Sequence, residues 1–134
     1  MRSLKINSSV LLLFIIFFSC KQSPVAESLS MSDKLVIHFL EQEKVVKTVI
    51  TEDKAAIKKM VYALGKGDVK QTSCEVNGKM IFLKDNVELQ QVNFSSTPGC
   101  RYFSYRFEGK QSFSSMTNEI ANFLQSVKLG LDFY

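Results

Sequence analysis

The chain contains one histidine, three cysteines and no apolar run long enough to cross a bilayer, and each scarcity removes a class of chemistry. A zinc site built on His38 finds no CxxC and no His-x-x-His spacing to supply its other ligands. A redox pair is normally CxxC with a depressed thiol pKa, whereas Cys74 and Cys100 stand 26 residues apart. Serines are plentiful, but there is no GxSxG, no SxxK and no Asp-His pair to activate one of them. Glycine patterns that cradle phosphates or dinucleotides are missing, and the dispersed acidic residues give no support to a paired-carboxylate glycosidase. Lys58 and Lys59 are the only adjacent basic residues, so the net charge of +4 forms no stripe for nucleic acid. The sequence therefore implies no cofactor, no metal and no catalytic motif.

What the chain does have is "VLLLFIIFFSCKQS". From Val10 to Phe18 there are nine unbroken apolar residues, where a helix needs about 20 to span a bilayer core. Nine suits the hydrophobic region of a signal peptide. Arg2 and Lys5 supply the positive flank, and the small residue Ser19 stands at the cleavage position. Removal of residues 1–19 leaves 115 residues, with 15 basic against 13 acidic side chains and a net charge of +2.

Ser19 followed by Cys20, at the end of this short run, resembles the lipobox of bacterial lipoproteins. The resemblance covers residues 1–20, and the chain departs from the family's pattern at Phe17 and Phe18. It implies that the Cys20 thiol carries acyl chains, palmitate among them, and becomes the new N-terminus. Lys21, where an Asp would signal inner-membrane retention, implies the outer membrane of the cell envelope. The polar segment "KQSPVAESLSMS" that follows reads as a flexible tether over 20–33, with a single domain over 34–134.

Within that domain, alternation over Leu35–Leu40 and "KVVKTVI", separated by the polar turn at Glu41–Glu43, predicts a β-hairpin. Ile57, Met60, Val61 and Leu64 share one face of a helix from about Glu52 to Leu64, with Thr51 as its cap and Gly65 as its stop. Asn77-Gly78, between "KQTSCEV" and "KMIFLK", predicts a type I′ hairpin. Asp85-Asn86, Thr97–Gly99 and Glu108-Gly109 mark further turns, and a switch of apolar face predicts a bulge near Gln90 and Gln91. A second helix carries Met116, Ile120, Phe123, Leu124 and Val127 behind a cap at Ser114 or Ser115. Leu129, Leu131 and Phe133 then alternate as a short strand or packed tail. The expected fold is α+β, two helices on one antiparallel sheet in the order ββαβββββα.

With Cys20 lipidated, the remaining pair favours a Cys74–Cys100 disulfide, as expected in an exported chain. A plain meander would hold two strands carrying these cysteines too far apart, so the bond demands a curled sheet, another strand order or a folded-back loop. In "RYFSYRF", Phe103, Tyr105 and Phe107 share one face with Arg101, while Tyr102, Ser104 and Arg106 share the other. The first set is expected in the core. Tyr102 and Arg106 form a candidate binding patch for an envelope protein or glycan, because Tyr and Arg are enriched at binding hot spots. These features favour a lipid-anchored, non-catalytic binding or accessory module over a small hydrolase or metal-handling protein built on His38 with Cys74 or Cys100. The protein extracted from bacterial membranes is expected to have the mass of residues 20–134 plus acyl chains, with two thiols appearing only on reduction; an acyl-free mass removes the lipobox reading.

Overall fold

The computed structural model describes residues 23–65, 69–70 and 74–131. Six strands form one open sheet: β1 (Lys34–Glu41), β2 (Lys44–Thr51), β3 (Gly78–Lys84), β4 (Val87–Thr97), β5 (Cys100–Phe107) and β6 (Lys110–Ser115). Their order is β2-β1-β3-β4-β5-β6, and every neighbouring pair is antiparallel. Three helices, α1 (Pro24–Leu29), α2 (Lys54–Ala63) and α3 (Asn118–Leu129), accompany it. The class is α+β as expected, but the order is αββαββββα: one more helix and one fewer strand than the sequence predicts.

The extra helix lies inside the segment expected to be a tether. Ser23 accepts the Ala26 N–H at 3.2 Å, Pro24 fits the first turn, and Val25, Ala26 and Leu29 are buried in the core. Six residues cannot hold a helix alone. Burial of Val25 and Leu29, at roughly 1.5–3 kcal/mol each, is what holds this one. Pro24–Leu29 are thereby corrected from tether to helix, and residues 20–22 of the expected tether lie outside the described residues.

The missing strand is the one expected before Asn77-Gly78. Residues 74–77 are not in a strand, and Gly78 is not in a hairpin turn but opens β3 between Phe39 of β1 and Phe94 of β4. A Cβ at Gly78 would stand 1.9 Å from the Phe94 ring, so this glycine is a hollow that admits an aromatic side chain. Asn77 joins the chain to two strands, accepting the Ser96 N–H at 3.0 Å and donating to the Thr97 hydroxyl at 2.8 Å.

The other turns follow the sequence. Asp85-Asn86 has φ of 51° and 61°, and Gln42-Glu43 turns the first hairpin the same way with φ of 47° and 64°. The expected bulge falls at Leu89, one residue early, where Glu88 pairs with Leu83 and Gln90 with Phe82. Both helix caps move by a few residues. Asp53, not Thr51, accepts the Ala56 N–H at 2.8 Å at the head of α2, because Thr51 is still in β2. Thr117, not Ser114 or Ser115, caps α3 by accepting the Ile120 N–H at 3.2 Å, because both serines belong to β6. Gly130, at φ 71°, closes α3. Leu129 is therefore helical and Leu131 exposed, while Phe133 lies outside the described residues.

Alternation along each strand builds one apolar face from Leu35, Ile37 and Phe39 of β1, Met80 and Phe82 of β3, Val92 and Phe94 of β4, and Phe103 of β5. All three helices press their apolar stripes onto it in one cluster. Phe39 meets Phe94 edge-on at 6.1 Å and 81°. Gly78→Ala is expected to lower the unfolding free energy by about 1–3 kcal/mol through overpacking. Urea denaturation measures the loss, and adding Phe94→Leu should recover part of it. Unchanged stability of the alanine variant would contradict the packing described.

Candidate functional site

Because the helices share one face of the sheet, the opposite face carries no layer of secondary structure among the described residues. It divides into two halves. Across β2, β1 and β3 runs the apolar row Ile50, Val36, Ile81, beside the row Thr48, His38, Lys79. At β4 the chemistry changes: Ile81 is followed by Gln91 and Lys79 by Asn93. Beyond them lie Ser104 and Arg106 of β5 and Gln111 of β6.

One end of the polar half is crossed by the chain returning from α2 to β3. The Val69 N–H donates to Phe113 O of β6 at 3.3 Å, and the Asn77 N–H donates to Phe94 O of β4 at 3.0 Å. Between these points Cys74 is bonded to Cys100, with their Cα atoms 6.3 Å apart, and the Tyr102 hydroxyl donates to Cys74 O at 2.9 Å. The plain meander of β3 to β6 is thus compatible with the disulfide, because Cys74 sits on a strap over the sheet and not in a strand. Ser95, opposite Tyr102, is fully buried where the strap crosses.

At the other end of the same half is a depression of about 460 Å³ lined by Glu88, Gln91, Asn93, Ser104, Arg106 and Gln111. Two local irregularities open it. The Leu89 bulge bends β4, and β4 stops pairing with β5 at Val92 and Tyr105. Gln90 spans the gap, its amide nitrogen donating to the Gln91 and Arg106 carbonyls, each at 2.9 Å. Arg106 is folded against its own hairpin by a 3.4 Å bond to Gly109 O. Asn93 Oδ1 is buried and has no hydrogen-bond partner among the described residues. Leaving such an acceptor unpaired costs about 1–3 kcal/mol.

The residues singled out from sequence fare differently. Tyr102 is only 3% exposed, its ring tilted against Phe113 at 6.2 Å, and so it cannot form a surface patch with Arg106. The strap covers it, which sequence periodicity alone does not anticipate. Arg106 is exposed and borders the depression. His38 Nδ1 shares a 2.8 Å hydrogen bond with Thr48 on the apolar half, three strand steps from β5, or roughly 14 Å. With both sulfurs in the disulfide, neither Cys74 nor Cys100 is a free thiol for His38 to activate. No group of three or more His, Cys, Asp or Glu side chains able to hold a metal comes together among the described residues. Cys20 lies outside them. From the sequence, Gln91 has no role beyond the bulge and Asn93 and Gln111 attract no notice, although Glu88, Gln91 and Asn93 are the polar positions left when the apolar residues of β4 are assigned inward.

Breaking the disulfide with Cys74→Ser and Cys100→Ser is expected to lower stability by roughly 3.5 kcal/mol in the chain-entropy model, and Tyr102→Phe by about 1 kcal/mol. Denaturation midpoints read both; a disulfide loss smaller than the tyrosine loss would show that the strap holds without its covalent pin. No protein-family model matches the chain, and no curated protein or solved structure matches it.

Proposed function

We propose that the protein is a lipid-anchored binding module of the cell envelope whose uncovered sheet face takes a glycan. The carrying observation is the depression floored by Asn93 and Ser104 and ringed by Gln91, Gln111, Arg106 and Glu88. Carboxamides present a donor and an acceptor side by side, which matches neighbouring hydroxyls on a sugar ring. Arg106 adds a cation suited to a carboxylate or phosphate substituent. A protein partner would be expected to use large apolar anchors, and the lining of this depression is mostly polar.

The anchor part of the reading rests on the leader ending in Ser19-Cys20, and the envelope location follows from it. A disulfide accords with an oxidising compartment. Calorimetric titration of the membrane-extracted protein with muropeptides, which carry hydroxyl-rich rings and carboxylates, tests the glycan reading. Asn93→Ala and Gln111→Ala are each expected to weaken binding about tenfold, the equivalent of one good hydrogen bond. Gln125→Ala, on the exposed side of α3, should leave it unchanged. Absence of heat for the parent protein, or equal affinity in all three variants, overturns the assignment.

A further inference from the structure

We propose that the groove between α1 and α2 is the surface that lies against the bilayer, with an anionic lipid surface as its partner. The proposal rests on the lipid-anchored reading and adds an orientation to it. Lys21 and Gln22 are all that separate Cys20 from Ser23, and Ser23 already caps a helix whose Val25, Ala26 and Leu29 are core residues. Three chain steps reach about 10 Å when fully extended. A lipidated Cys20 is therefore held close to the head of α1, where a tether of a dozen flexible residues would have left the domain free to turn.

The head of α1 sits beside the end of α2, since a Cβ at Gly65 would stand 3.1 Å from the Ser23 hydroxyl. From that point Tyr62, Lys58 and Lys54 run down the exposed side of α2 at spacings of one turn. Next to them is a groove of about 470 Å³ whose apolar lining comes from Ile57, Val61 and Tyr62 on α2 and from Leu29 and Met31 at the end of α1. Tyr62 is half exposed and Met31 is 60% exposed, so the groove has an apolar rim open to solvent.

The charges around the groove complete the fit. Asp33 pairs with Lys84 and Glu52 with Lys34, each at 3.6 Å. The Asp85 N–H, with Lys84 beside it, holds the Asp33 carboxyl below its ordinary range against the opposing effect of desolvation. Lys54 and Lys58, both lining the groove, are in no ion pair among the described residues, and Glu27 is an exposed acid on α1. Lysines beside an aromatic ring and a flexible apolar side chain are the composition that settles at a headgroup boundary. This orientation turns the Asn93 depression, on the opposite face of the sheet, away from the membrane.

The test places one fluorophore at Ala55→Cys, on the exposed side of α2, or at Gln111→Cys, beside the depression. Both are made in the full chain, matured in a bacterial host. With Cys20 acylated and the disulfide intact, the introduced thiol alone reacts. The labelled proteins are reconstituted into phosphatidylglycerol vesicles containing a headgroup-quencher lipid. Quenching at position 55 is expected to exceed that at 111 by at least threefold, and Lys54→Glu with Lys58→Glu should bring the ratio towards one. Equal quenching in an acylated protein overturns the orientation and leaves the anchor standing. An acyl-free mass overturns both.

Discussion

A sheet of six antiparallel strands has two faces, and a chain this short has apolar side chains and helices enough to cover one of them. Everything else in the fold follows from which face that is. Phe82, Phe94 and Phe103, on three neighbouring central strands, are each fully removed from water on the same side. Aromatic side chains of this size bury 150–250 Å² apiece, so they decide where the helices go. Even α1, too short to persist in water, is recruited to that side. The hollow at Gly78 belongs to the same constraint, because the Phe94 ring fits under the helices only where the adjacent strand has no side chain.

The uncovered face inherits the remaining problem, that the return from α2 to the middle of the sheet must pass across it. Most of the cost of such a crossing is entropic, and the covalent link to Cys100 lowers it by restricting the unfolded chain. The Tyr102 hydroxyl adds a local hydrogen bond to the same strap. A tyrosine that looks like a recognition residue by composition is thus consumed by architecture, and the polar depression lies at the far end of β4 and β5.

How much of this was legible depends on whether the signal is local. Hairpin turns were readable because positive φ is demanded by two adjacent residues, as at Asp85-Asn86. The core face of β5 was readable at Phe103 from strand period two, whereas β1 and β3 carry apolar residues on both faces and period two alone does not choose between them. The disulfide was readable from cysteine count, although not the route by which it closes. What was not legible depends on distant partners. Asn77-Gly78 carries the strongest short hairpin signal in the chain, yet the glycine is there for a ring sixteen residues later, Phe94. Val25, Ala26 and Leu29 look like scattered apolar residues in a polar segment until a sheet exists for them to face. The depression was invisible for the same reason, since Asn93 and Gln111 meet only once β4, β5 and β6 are side by side.

The two surfaces of the molecule make sense together if each does the work its composition suits. On the proposed reading, an anchor near the head of α1 would bring the helical layer, with Lys54, Lys58, Tyr62 and Met31 exposed on it, near the lipid. A sugar-binding depression buried against a bilayer would be useless, but Asn93 and Gln111 lie on the other side of the sheet, with the full thickness of the core between them and α2. The asymmetry between the two faces would then separate holding from reading. On the proposed reading the helical side would hold the protein at the membrane, and the polar half of the uncovered face, across β4 to β6, would be left to meet what the envelope presents.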